Sequence, residues 1–356
     1  MVMRKKGLCL IWFFPVLIGL LSCAAPAAIS VQVKKPAEID MPGVRTLAVA
    51  DFQGVERSGS QIATQLQSYL KEAGHFDLLE REQLRRILEE QNLGMAGVVS
   101  EETAVEVGRL LGVDVMIFGE VTSYRVEPDE RGKEKVERQE GTGKYEWVEQ
   151  KNIFTGKTQK VKREIMKTVL VDQHYRVRRG TVAINFRAVS VKTGELLAVH
   201  SDSKSYNSGK VVEGGSQTLK PEGEILSDLS RQICREFAWK ISPHYSRETR
   251  YVETGKGKIA VGKKYAESGL WPEAIEIWRL AALETPGEAS AFYNLGVAHE
   301  IRGDFDRAES YYKEAIAVKA SKRYLDSVQR VRKAREEQRR LQQQIQGRNP
   351  EGVGSF

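Results

Sequence analysis

The sequence predicts an α/β domain, a sheet flanked by helices, followed by an all-α domain, behind an exported and lipid-anchored N-terminus. Three observations carry this. Over residues 44–241, apolar runs of strand length alternate with stretches of helical period. Over 256–345 the chain repeats itself at a spacing of 34 residues. Residues 8–21, the one strongly apolar run, follow a basic head and end near a cysteine.

Arg4, Lys5 and Lys6 form that head, and the uncharged run behind them is 14 residues long. A spanning helix needs roughly 20, so the segment reads as an export signal. Its exit, Leu20-Leu21-Ser22-Cys23, resembles the bacterial lipobox. A small residue suits the peptidase cut, and a thiolate is the nucleophile that lipid can alkylate. Residues 1–22 are therefore expected to be removed, Cys23 to carry lipid, and 23–43 to serve as a lipid-anchored tether. Ala24 stands where an Asp would retain a lipoprotein at the inner membrane of enteric bacteria. That resemblance implies the periplasmic face of the outer membrane.

Composition sets further bounds. The 356 residues, 41% hydrophobic and 29% charged, suffice for two modest domains. The formal charge of +7 falls to +4 without the three charges of the signal. This mild excess argues for no nucleic-acid partner and is compatible with an anionic membrane or cell-wall surface. Of three cysteines, Cys9 leaves with the signal and Cys23 is taken by lipid, which leaves Cys234 as a small core residue without a disulfide partner.

The α/β domain is read element by element. "RTLAVADF" (45–52) is a strand, and 55–60 a polar loop. Ile62, Leu66 and Leu70 recur at helical spacing up to Gly74. "FDLLE" (76–80) is a second short strand, followed by a helix with Leu84, Ile87 and Leu88 on one face. Ser100 caps a further helix ending at Gly112. "DVMIFGEVTSY" (114–124) is a third strand. "TVAINFRAVSV" (181–191) alternates as a half-buried strand should, and "KTGE" turns it into an antiparallel partner. A helix over 222–241 closes the domain, with Ile225, Leu226, Leu229, Ile233 and Phe237 inward.

"LAVADFQG", "GHFDLLEREQLRRILEEQNL", "GRLLGVDVMIFGEVTSY" and "VSVKTGELLAVHS" resemble the CsgG-like family, which includes the curli secretion lipoprotein and lipoprotein activators of penicillin-binding proteins. The resemblance covers about 45–241 apart from an insert. It implies fold and compartment, with no catalytic residue. Members that secrete curli form rings whose subunits donate hairpins to a membrane barrel. Such strands alternate apolar and polar over about ten residues. The corresponding insert here, 125–180, is dense in charge. It is expected to be a water-exposed hairpin turning near 155–157, with Trp147, Ile153, Phe154 and Tyr175 either gripping a partner or packing across the hairpin.

The C-terminal repeat pairs Gly262 with Gly296, Gly269 with Gly303, Ala274 with Ala308, Trp278 with Tyr312, and Ala281 with Ala315. The 34-residue period resembles the tetratricopeptide (TPR) repeat. Tyr265, Pro286 and Leu295 belong to the same signature, Pro272 suits a helix start, and His299 holds a core position. The helix expected over 321–345 would cap the array through Tyr324, Leu325, Val328 and Val331, leaving 346–356 as a disordered tail.

The five histidines show no metal-ligand spacing, and neither a phosphate loop nor a nucleophile elbow is present. The expected protein is non-enzymatic, without cofactor or metal. It is a periplasmic scaffold or assembly factor that binds envelope proteins or peptides through its repeats and the membrane through Cys23. The readings left beside it are a homo-oligomeric secretion channel and a lipoprotein activator of a cell-wall synthase.

Overall fold

The computed structural model describes residues 26–55, 58–80, 82, 86, 108–152 and 156–348. The signal, the lipobox residues Leu20, Leu21 and Ser22, Cys23, Phe154, and most of the helices expected over 81–112 lie outside them. Among the described residues, 34–245 with 338–348 form one compact unit and 26–33 with 246–337 another.

The first departure from expectation comes at once. The tether contains a nine-residue strand, β1 (Ala27–Lys35). Ala27, Ile29, Val31 and Val33 alternate with exposed Ala28, Ser30, Gln32 and Lys34, a period of two that the Ala- and Lys-rich composition hides.

In the sheet unit, β2 (Thr46–Val49), β3 (Gln53–Gly54), α1 (Ser58–Ala73), β4 (Asp77–Leu78) and β5 (Val115–Val126) come first. The hairpin β6 (Glu130–Lys151) and β7 (Thr158–Val177) follows. Then come β8 (Arg179–Ser190), β9 (Leu196–Asn207), the two-residue β10 (Val211–Val212) and α2 (Glu222–Ile241). The main sheet runs β4-β2-β5-β8-β9, with β3 also beside β5. The pairs β2–β4, β2–β5 and β3–β5 are parallel; β5–β8 and β8–β9 are antiparallel.

Alternation along the strands makes two cores. Leu47, Val49, Val115, Ile117, Ile184 and Phe186 meet Ile62, Leu66 and Leu70 of α1 and Ile225, Leu229, Ile233 and Phe237 of α2. The rings of Phe186 and Phe237 stack at 4.3 Å between centroids. Leu226 is only partly buried at the margin, and Cys234 is fully buried in this core. On the opposite face Ala48, Ala50, Met116, Phe118 and Val189 form a smaller cluster. Gly119 is required where β5 passes under Phe52, because a Cβ there would enter the Phe52 ring.

The other unit opens with β11 (His244–Val252), which pairs with β1 in a two-stranded sheet. Five helices follow: α3 (Lys258–Glu267), α4 (Trp271–Glu284), α5 (Ala289–Ile301), α6 (Phe305–Val318) and α7 (Lys322–Arg348). Helix α7 overruns the tail expected from 346 by three residues, and 349–356 lie outside the described residues. Tyr324, Val328 and Val331 are buried, but Leu325 is 50% exposed. Positions 324, 328 and 331 share one helical face, and 325 lies off it by about 100° per residue.

Candidate functional site

Two features stand out from the folding cores: the helical repeats and the long hairpin.

In the repeats, the paired positions do the same work twice. A Cβ on Gly296 of α5 would lie 2.5 Å from the Tyr312 ring of α6, and one on Gly262 of α3 would collide with the Trp278 ring of α4. Each glycine therefore opens a seat for the aromatic of the following helix. Trp278 and Tyr312 are fully buried, and the Trp278 indole donates to the Ile259 carbonyl at 3.2 Å. Gly269 and Gly303 take the turns between helices with φ of +76° and +78°, which non-glycine residues rarely adopt. Ala274, Ala281, Ala308, Ala315 and Leu295 are buried where neighbouring helices meet. Pro272 stands at the start of α4, and Pro286 sits in the exposed loop before α5. Tyr265 is the exception, 37% exposed on α3.

One centre was not legible in the repeat. The Glu300 side chain, 2% exposed, accepts from Arg250 of β11 at 2.7 Å, from Nε and Nη2 of Arg330 of α7 at 2.8 Å each, and from the Tyr312 hydroxyl at 2.6 Å. Burial pushes the Glu300 carboxyl up, but the two guanidiniums outweigh it and hold it below the usual range. Nearby, the buried Asn294 amide brackets the Glu253 backbone, accepting from its N–H at 2.7 Å and donating to its carbonyl at 3.0 Å. These contacts fix β11 to the helices and hold Tyr312 in its seat. His299 pairs through Nδ1 with Asp304 at 3.3 Å and stacks on Tyr311, a packing role.

A hairpin lies inside the 125–180 insert; of the turn expected at 155–157 only 156 and 157 are described, and Ile153, like Phe154, lies outside the described residues. Strands β6 and β7 pair antiparallel from Glu130↔Val177 to Lys151↔Thr158, and just beyond the last pair the Asn152 N–H donates to the Lys157 carbonyl at 2.9 Å. Twenty residues of strand reach about 65 Å. The only further strand that pairs with it among the described residues is β10, beside Tyr175 and Arg176 at the base.

A lipid-facing band needs about 25 Å of apolar side chains. Neither face has one. One face of β7 is uncharged at Val169, Val171, Gln173, Tyr175 and Val177, but opposite them β6 sets Glu130, Glu134 and Arg138 on the same face. Farther out that face carries Lys167 and Arg163, and the other face carries Asp172, Glu164, Lys162 and Lys160. Ion pairs Lys133–Asp172, Arg179–Glu130 and Lys210–Glu134 tie the base together. Of the expected grips, Tyr175 packs across the hairpin over Gly132 and beneath Lys210, whereas Trp147 is 68% exposed.

Residues 45–224, half of the chain, match the family described as "Curli production assembly/transport component CsgG". The chain belongs to the CsgG family. Residues 260–343 match a second family, described as a domain of unknown function, DUF6340, where the sequence reading expected TPR repeats. No curated protein matches the chain. Solved structures similar to this CsgG-family chain include the PelC dodecamer from Paraburkholderia phytofirmans, at 11% identity, 61% of this chain, 99% of that chain and a TM-score of 0.26. The LpoB C-terminal domain from Salmonella enterica is similar at 11% identity, 47% of this chain, 87% of that one and a TM-score of 0.28. A lipoprotein from Neisseria meningitidis is similar at 13% identity, 53% and 97% coverage and a TM-score of 0.28. Superpositions this loose carry no argument about the present chain.

Among the described residues, no group of three or more His, Cys, Asp or Glu side chains is placed to hold a metal ion. No described helix is long and apolar enough to cross a membrane.

Proposed function

We propose that this CsgG-family protein is a non-enzymatic envelope lipoprotein, held by lipid on Cys23 at the periplasmic face of the outer membrane, and that it acts as a scaffold or assembly factor. The observation that carries the proposal is the twice-used glycine–aromatic seat of the helical unit, Gly262 with Trp278 and Gly296 with Tyr312. It supports reading α3 to α6 as two TPR units with α7 as their cap. TPR units display helix faces to proteins or peptides rather than perform chemistry, and the pairing of buried polar groups around Glu300 serves rigidity, not reactivity. The proposal is tested by retaining envelope proteins from detergent extract on the full chain and on a variant lacking 256–345. A protein retained by the first and lost from the second supports it; no retained protein, or the same set on both, refutes it.

A second reading is favoured by the family itself, whose description includes transport: a subunit of an oligomeric secretion channel. Charge on both hairpin faces weighs against it, since each Lys or Arg facing lipid at mid-bilayer costs about 2–4 kcal/mol. Activation of a cell-wall synthase is a special case of partner binding, and identification of the retained protein separates it from general scaffolding.

A further inference from the structure

The hairpin is not uniform along its length. Residues 142–167 carry seven Lys and Arg against three Glu, whereas the base segments 130–141 and 168–177 together carry five basic and five acidic residues. The excess positive charge thus lies entirely in the distal half.

Register places it beside the exposed apolar groups. Trp147 lies directly across from Lys162, Tyr145 across from Glu164, Glu149 across from Lys160, and Lys151 across from Thr158, so this face sets Lys151, Lys160 and Lys162 against Glu149 and Glu164, with Met166 beside them. Tyr145, Trp147 and Met166 are exposed, and the Lys162 ammonium sits 4.4 Å from the centre of the Tyr145 ring. The surface is a two-stranded ribbon, and among the described residues no further strand pairs with this part of it. Amphipathic aromatic rings settle at the headgroup level of a bilayer, and lysines beside them are drawn to anionic lipid.

We propose that this distal face, Tyr145, Trp147 and Met166 among Lys151, Lys160 and Lys162, docks on the surface of an anionic phospholipid bilayer. The rings lie among the headgroups and the ammonium groups against lipid phosphates. The hairpin touches a membrane without crossing it, and this holds whether or not the helical unit binds a protein.

The test mixes the mature-length protein carrying Cys23→Ala, and therefore no lipid, with excess vesicles of phosphatidylcholine alone or of phosphatidylcholine with phosphatidylglycerol. Trp147 emission is isolated as the difference between the protein and its Trp147→Phe variant. The expected result is a blue shift, and quenching by brominated acyl chains, only where phosphatidylglycerol is present. Lys160→Gln with Lys162→Gln should lower the docking constant about 30-fold, each lysine near an anionic surface contributing about fivefold. These substitutions lie on an exposed ribbon outside both cores, so the fold is retained, and circular dichroism checks it. No shift with phosphatidylglycerol, or an equal shift without it, overturns the proposal. A shift produced by soluble polyphosphate but not by the vesicles also overturns it and assigns the face to a free polyanion.

Discussion

Replacing Gly296 by alanine puts the repeat packing to a test of sign. In a helix interior, Gly→Ala ordinarily stabilises by about 1 kcal/mol. Here the new methyl would lie 2.5 Å from the Tyr312 ring. Retreat is blocked, because Tyr312 is fully buried and its hydroxyl is bonded to Glu300, itself held by Arg250 and Arg330. Overpacking of a rigid core costs about 1–3 kcal/mol, and a pinned ring places this site at the upper end. Subtracting the helix-propensity gain leaves a net loss of about 2 kcal/mol. For a unit of this size that lowers Tm by roughly 8–16 °C. Calorimetry of the full chain, with Tyr312→Leu and the double variant completing a cycle, separates the clash from any other effect: Gly296→Ala should cost far less once the ring is gone. An unchanged or raised Tm for Gly296→Ala alone would refute the seating of Tyr312 on Gly296.

Three further outcomes are expected. Glu309 of α6 is bonded first by Arg332, then by Lys313 and Arg335, which hold its carboxyl down at about 2. A depressed carboxyl stabilises above its ordinary value near 4.5 and loses that contribution as pH falls toward 2. The helical transition should therefore weaken over that window, and Glu309→Gln should flatten the dependence; an identical acid profile in the variant would contradict the network. The Cys234 thiol, fully buried and pushed up to about 12 by burial, should resist a thiol reagent in the native mature protein and react once denaturant is added; rapid native labelling would show the core is misassigned. In membranes washed at high salt, which screens docking by the hairpin lysines, Cys23→Ala should move the protein from the membrane to the soluble fraction, and unchanged fractionation would remove the anchor.

Legibility followed how local each signal was. Helix α2 was readable to the residue, because Ile225, Leu229, Ile233 and Phe237 mark one face and Ser242 ends the run. In the stretch expected to turn, Gly156 takes φ of +68°, a conformation that favours glycine. The repeat was readable because one steric need recurs at a fixed interval, and the seats of Trp278 and Tyr312 show what that need is. Strands β1 and β11 were missed for the opposite reason. Their pairing partners lie more than 200 residues apart, and each strand by itself exposes as much polar surface as it half-buries. The Glu300 centre draws on β11, α5, α6 and α7, so no window of sequence contains it. A buried arginine such as Arg250 reads as an ordinary surface charge until its partner is located. Leu325 was misplaced by one residue of helical phase, a small error in sequence that reverses exposure.

The central claim is that this protein tethers and recruits at the membrane and does not conduct across it. Planar-bilayer recording of the purified, full-length protein tests this most directly. Charged residues on both faces of β6 and β7 predict an intact baseline at protein concentrations that saturate vesicle binding. Stable, large conductance steps that vanish when 130–177 is deleted would contradict the account and make the hairpin the wall of a pore.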